Sequence, residues 1–254
     1  MILDLFNLNG KVALVTGAGQ GLGQAMAIAL AEAGADIVAL DRRESEQTGE
    51  AVTALGRRFK QVRCDLKQAS VAELQQIVAG IVTDLGRLDI LVNNAGIIRR
   101  APAIEFSEAD WDDVLHINLK AAFFLSQAAA RPMIAQGGGK IINVASMLSF
   151  QGGIIVPSYT AAKSGIAGIT RALANEWAKH HINVNAIAPG YMATDNTTAL
   201  RADAARSAAI LERIPAGRWG TPDDLKGIVV FLASSASDYL QGAIVPVDGG
   251  WLAR

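Results

Sequence analysis

Seven short apolar runs, separated by long stretches of helical pattern, restrict the fold of this chain more than any other feature. They are KVALVT (11–16), ADIVAL (35–40), FKQVRC (59–64), DILVNN (89–94), KIINVA (140–145), INVNAIA (182–188) and AIVPVD (243–248). Most are apolar at successive rather than alternate positions, so both faces of each strand must be covered, as in a parallel sheet. Helical stretches of suitable length lie between them, such as 21–33, 70–85, 108–131, 160–179 and 223–234, with Ser70, Ser107 and Thr221 placed as caps. Pro132 is expected to end or kink the helix before it. Strand and helix alternate almost throughout, which predicts an α/β fold: one domain over 1–254, a doubly wound, Rossmann-type parallel sheet of about seven strands with helices on both faces. A chain of 254 residues that is 51% hydrophobic can bury such a core. Residues 190–220 are the least regular part; because ligands sit outside the carboxyl ends of strands in open α/β sheets, this segment after the sixth strand is expected to form a substrate lid.

Charge and cysteine usage narrow the partners. A formal net charge of -1 gives no electrostatic reason to expect nucleic acid or an anionic membrane, and favours a small soluble ligand. One cysteine, Cys64, permits no internal disulfide, and the start MILDLFNLNGK lacks the features of a signal peptide. A cytoplasmic protein is expected. His116, His180 and His181 have no ligand-like spacing, and no metal is expected.

The first strand runs into TGAGQGLG, with glycines at Gly17, Gly21 and Gly23 ahead of a helix starting near Leu22. The spacing is not GxGxxG, but the physics carries over: glycines allow a tight turn, and the helix start offers unpaired N–H groups to a pyrophosphate. Asp41 closes the second strand 20 residues after Gly21, where a carboxylate accepts from adenosine ribose hydroxyls and repels a 2′-phosphate, favouring NAD over NADP. Arg42 and Arg43 weaken that inference, since an arginine there could pair with a phosphate; a solvated helix start is the preferred reading of the pair. Asp65, just past the third strand, is a candidate acceptor for the adenine amino group. NNAG (93–96) ends the fourth strand at the same edge, so Asn93, Ala95 and Gly96 are candidate cofactor contacts.

Tyr159 and Lys163 stand four residues apart among small residues, on one face of a helix. Together with Thr16-Gly17-x-x-x-Gly21-x-Gly23, Asn93-Asn94-Ala95-Gly96, Asn118, Ser146 and Pro189-Gly190, this chain resembles the short-chain dehydrogenase/reductase family over its whole length. The resemblance implies a catalytic set of Asn118, Ser146, Tyr159 and Lys163, with Tyr159, Lys163, Pro189 and Gly190 also against the cofactor. A free tyrosine has a pKa of about 10, useless as a base near neutrality. The Lys163 ammonium and an oxidised nicotinamide ring are expected to favour phenolate, and a drop of about three units corresponds to roughly 4 kcal/mol. Tyr159 is then the general acid/base and Ser146 orients the substrate oxygen. Asn118 is implied to hold a water connecting the lysine to solvent.

A closer resemblance, carried by segments such as IINVASMLSFQGGIIVPSYTAAKSG and RIPAGRWGTPDDLKGIVVFLASSASDYLQG, is to the sugar-acid dehydrogenases of that family. It implies NAD-dependent interconversion of a secondary alcohol and a ketone on a sugar acid, by a homotetramer. The substrate carboxylate needs a cation, and Arg99 or Arg100, directly after NNAG, is the expected contact, with Arg201, Arg213 and Arg218 as further candidates. A 3-oxoacyl-carrier-protein reductase or another alcohol dehydrogenase of the same fold is the rival within this chemistry, and a non-catalytic NAD-binding sensor the rival outside it. Ser146 lacks the GxSxG setting of a hydrolase nucleophile.

Overall fold

The computed structural model describes residues 1–254. Seven strands, β1 (Val12–Thr16), β2 (Asp36–Asp41), β3 (Phe59–Arg63), β4 (Ile90–Asn93), β5 (Gly139–Val144), β6 (Ile182–Pro189) and β7 (Ile244–Val247), form one parallel sheet in the order β3-β2-β1-β4-β5-β6-β7. The helices are α1 (Gly21–Glu32), α2 (Glu46–Ala54), α3 (Val71–Leu85), α4 (Glu108–Leu115), α5 (Ala121–Ala135), α6 (Pro157–Trp177), α7 (Thr198–Ala202), α8 (Ala204–Arg213) and α9 (Lys226–Ala233).

Strand β1 shows why most of the runs are apolar at successive positions. Ala13 and Val15 enter one core, shared with Met26 and Leu30 of α1 and Val229 of α9. Val12 and Leu14 enter the other, shared with Leu74 and Val78 of α3 and Leu125 of α5. Each face of the sheet is therefore sealed by helices. The strand order reverses where β1 lies between β2 and β4, the switch point at whose carboxyl ends open α/β sheets bind their ligands.

Local chemistry sets the helix ends. Ser70 accepts from the Glu73 N–H while Glu73 accepts from the Ser70 N–H, a capping box that starts α3, and Gly86 at φ 81° stops it. Ser107 caps α4 by accepting from the Asp110 N–H. At Thr221 the Asp224 carboxylate accepts from the Thr221 N–H at 2.7 Å, and a 3-10 turn leads into α9.

Two expectations are corrected. The stretch 108–131 is not one regular helix: a π-helical turn, His116–Lys120, divides α4 from α5. Nor does Pro132 end its helix, because α5 runs on to Ala135 with Pro132 inside its last turn. After Arg42 and Arg43, read as a helix start, the helix that follows begins only at Glu46, and its sequence EQTGEAVTA is too polar to mark its extent. It is held by Val52 and by Gly49, where an added Cβ would come within 2.8 Å of the Phe59 ring. No helix is long and apolar enough to cross a membrane.

Candidate active site

The turn after β1 is built by side chains from β4. Thr16 Oγ1 accepts from the N–H groups of Asn94 at 3.0 Å and Ala95 at 2.9 Å while donating to the Val92 carbonyl. The Asn94 amide donates to the carbonyls of Thr16 and Gly17 at 2.9 and 3.2 Å. Gly17 and Gly21 have φ of 67° and 59°, and a Cβ on Gly23 would stand 2.1 Å from the Gly17 carbonyl oxygen. Helix α1 thus packs directly on the turn. Its N-cap residue Gln20 makes no capping bond, and the N–H groups of Gly21, Leu22 and Gly23 have no protein acceptor. Three free donors at a helix start beside a glycine turn suit the pyrophosphate of a dinucleotide.

At the end of β2, Asp41 accepts from the Gly19 N–H at 3.0 Å and the Arg43 N–H at 3.2 Å, so its carboxylate lies against the turn where an adenosine ribose would sit. Arg42 and Arg43 are exposed. The nearby Ser45 hydroxyl is buried without a partner, a feature with no signal in the sequence beyond residue type. Asp65 is exposed past β3, and one of its oxygens accepts from the Lys67 N–H.

Asn93 ends β4, as the sequence places it. Its amide is turned into the interior, donating to the Ser126 hydroxyl and to Asn143 Oδ1, both at 2.9 Å. The Asn143 amide in turn donates to Thr170 Oγ1, so this chain of buried groups joins β4, β5, α5 and α6. The Asn93 amide nitrogen is thereby engaged inside the core, while its Oδ1 is buried without a partner. Gly96 packs against Asn118, whose oxygen would lie 3.2 Å from an added Cβ. The Asn118 side chain, in the π turn, accepts from the Ile97 N–H at 2.8 Å and donates to the Ile97 carbonyl at 2.9 Å. It clamps the segment leaving β4, using one N–H of its amide and one lone pair of its oxygen.

Pro157 opens α6 at the position proline favours, so Tyr159 and Lys163 fall in its first two turns. The Lys163 Nζ lies 5.6 Å from the centre of the Tyr159 ring and donates to the Val144 carbonyl at 2.6 Å. Lys163 is 4% exposed, and burial lowers its pKa to about 8. Ser146 caps the turn 147–149, accepting from the Leu148 N–H, and faces Tyr159.

The electrostatics depart from expectation. Burial pushes the Tyr159 phenol above its ordinary value, while the Ser146 hydroxyl and the Arg100 guanidinium pull it back. The Lys163 ammonium donates to the Val144 carbonyl rather than to the phenol oxygen. Arg99 pairs with Asp110 at 3.0 Å, away from Tyr159. Arg100 alone of the two reaches over the site, donating to the Asn196 carbonyl of the 190–220 segment at 3.4 Å. Arg201 and Arg218 are held elsewhere, Arg201 on the Thr194 carbonyl and Arg218 on the Asp224 carboxylate. Pro189 ends β6, and a Cβ on Gly190 would stand 2.5 Å from the Asp248 Cα, so the chain passes close to the end of β7 as it leaves the sheet.

A family profile described as short chain dehydrogenase matches residues 11–205. The 2-dehydro-3-deoxy-D-gluconate 5-dehydrogenase of Escherichia coli (strain K12) is 64% identical over 255 residues, covering 100% of both chains. The protein of the same name from Bacillus subtilis (strain 168) is 53% identical, over 99% of this chain and 98% of that one. A crystal structure of a 2-deoxy-D-gluconate 3-dehydrogenase candidate from Agrobacterium tumefaciens with bound NADP superposes with a TM-score of 0.92 at 56% identity, covering 99% and 100% of the two chains.

Proposed function

Since the chain belongs to the short-chain dehydrogenase family and is an oxidoreductase of CH–OH groups using a dinucleotide, we propose that it interconverts 2-dehydro-3-deoxy-D-gluconate and its 2,5-diketo form with NAD(H). The observation that carries the reaction is the grouping of Ser146, Tyr159 and Lys163 at the carboxyl ends of the strands, beside the free N–H groups of α1. The sugar acid is supported by full-length similarity to the Escherichia coli enzyme of that name.

The free donors of Gly21, Leu22 and Gly23 would hold the pyrophosphate and Asp41 the adenosine ribose. The bound dinucleotide supplies or accepts the hydride. In the oxidation direction, Tyr159 takes the hydroxyl proton as the C–H hydride leaves, and in reduction it returns that proton to the carbonyl oxygen. Ser146 donates to the same substrate oxygen and orients it. Lys163, held between Val144 and the Tyr159 ring, keeps a cation beside the phenol. Arg100 meets the carboxylate, which favours it over Arg99 because Arg99 is paired with Asp110.

NAD is favoured over NADP by Asp41, whose charge would face a 2′-phosphate. A second reading, NADP, is supported by the exposed Arg42 and Arg43 and by the NADP-bound structure from Agrobacterium tumefaciens. A homotetramer in the cytoplasm is the assembly expected, supported by Trp111 on α4 and Ile134 on α5, which are apolar yet 38% and 41% exposed.

Initial rates of NAD and NADP reduction with 2-dehydro-3-deoxy-D-gluconate, 2-deoxy-D-gluconate and D-gluconate test this reading, with Tyr159→Phe as the blank. Fast NADH production from the deoxy sugar acids, absent in the variant, is expected. Absence of turnover with all three acids would refute the substrate.

A further inference from the structure

Helix α8 is mostly exposed, and Ile210 is its one buried residue. Ile210 and the following Ile214 do not reach either core of the sheet. They form a separate buried cluster with Met147 and Trp251, bordered by Tyr191 and Trp219. Met147 is covalently next to Ser146, so one small cluster joins the 190–220 segment, the serine loop and the stretch after β7.

Polar contacts join the same three segments. Gln151 Oε1 accepts from the Trp251 indole N–H at 3.3 Å and from the Arg213 guanidinium at 3.4 Å. The Arg213 guanidinium also stacks 4.0 Å from the centre of the Trp251 ring. Backbone geometry fixes the indole there: Gly249 and Gly250 have φ of 65° and 90°, and a Cβ on Gly249 would come within 2.9 Å of Ile214. The Asp248 carboxylate accepts from the N–H groups of Gly250 and Leu252, both at 2.9 Å, and so closes the turn that presents Trp251.

We propose that Trp251 is a positioning residue that latches the 190–220 segment, as a lid, onto the loop carrying Ser146, and so sets affinity for the sugar acid without touching the reacting atoms. Trp251 fills the gap between Ile210 and Met147, and Gln151 ties the indole to the last residue of α8. With the ring removed, Ile210 and Ile214 lose their partner and the lid opens more often. The dinucleotide turn is braced from within the sheet by Thr16 and Asn94 and meets the lid by one side-chain bond, from the Gln20 amide to the Asp195 carboxylate at 3.3 Å, so lid opening leaves its bracing in place. The effect on KM rests on the substrate reading above, whereas the effect on lid opening does not.

The test compares Trp251→Ala, Trp251→Phe and Gln151→Ala with the wild type. The readouts are KM for 2-dehydro-3-deoxy-D-gluconate, the Kd for NADH from its own fluorescence, and the rate of tryptic cleavage after the lid residues Arg201 and Arg206. Trp251→Ala is expected to raise KM and the cleavage rate about tenfold each and to change the NADH Kd by less than about twofold. Trp251→Phe, which keeps a ring, is expected to restore most of both effects. Unchanged cleavage in Trp251→Ala, or a loss of NADH binding in step with the rise in KM, would overturn the proposal. If Trp251→Ala does not fold, Gln151→Ala decides: a rise of about threefold in cleavage supports the latch, and no rise overturns it. If the wild type fails to oxidise the sugar acid, the substrate reading falls while the cleavage rates still judge the latch.

Discussion

The ammonium of Lys163 donates to the main-chain carbonyl of Val144 across 2.6 Å, at the end of β5 and within 5.6 Å of the centre of the Tyr159 ring. The contact ties the second turn of α6 to the strand that leads to Ser146. It also places a cation where water is nearly excluded.

That burial makes stability depend on pH. The folded pKa of Lys163, about 8, is below the ordinary lysine value of 10.5, so the unfolded chain binds the extra proton between them. Burial of the charge therefore costs stability in full below about pH 8, and the cost is relieved as pH rises toward 10.5. Lys163→Met removes this dependence. The stability of the wild type relative to the variant is expected to rise by about 2 kcal/mol between roughly pH 7 and pH 9.5, measured by urea unfolding.

Tyr159→Phe is expected to lower kcat by a factor of about a hundred to ten thousand while the dinucleotide Kd is retained. Because burial raises the phenol pKa, alcohol oxidation by the wild type gains rate toward alkaline pH. Ser146 and Arg100 both pull that pKa down, so Ser146→Ala and Arg100→Met each move the rising limb of kcat/KM to higher pH. A limb that moved to lower pH, or stayed fixed in both, would contradict the arrangement.

Arg100 and Arg99 are adjacent in sequence but differ in what they are free to do. Arg100→Met is expected to raise KM for the sugar acid about tenfold or more, and Arg99→Met by less than about twofold, since a charge-assisted bond is lost only in the first. Equal effects would show that the Asp110 pair does not hold Arg99 away.

Asp41→Ala removes the carboxylate beside Gly19. The ratio of kcat/KM for NAD to that for NADP is expected to fall about tenfold or more, because like-charge juxtaposition with a 2′-phosphate is relieved and Arg42 and Arg43 remain. Steady-state rates with both dinucleotides measure it.

Much of this is legible in the amino-acid sequence. The runs define all seven strands to within a residue or two at each end, because strands covered on both faces are mostly apolar and the few polar positions inside them, such as Asn93 and Asn143, pair with one another. Tyr159 and Lys163 share a face because helical spacing alone demands it. What escaped the sequence depends on distant partners. The helical character of EQTGEAVTA rests on Gly49 fitting under Phe59, and the inward turn of Asn93 rests on Ser126 and Asn143. Likewise nothing in the spacing of Arg99 and Arg100 reveals Asp110, which decides between them.

The bracing of the first turn by β4 has a kinetic consequence. Thr16 receives the Asn94 N–H from a position 78 residues further along the chain, and the two strands pair in parallel, so no local hairpin can bring them together. The turn reaches its final shape only after that long loop has closed, a slow step for any chain. A dinucleotide that binds the finished turn and not the unfolded chain then acts as a folding ligand, deepening stability in proportion to the logarithm of its concentration. Refolding from urea should accordingly yield more native protein with dinucleotide present, even when no sugar acid is there to be oxidised.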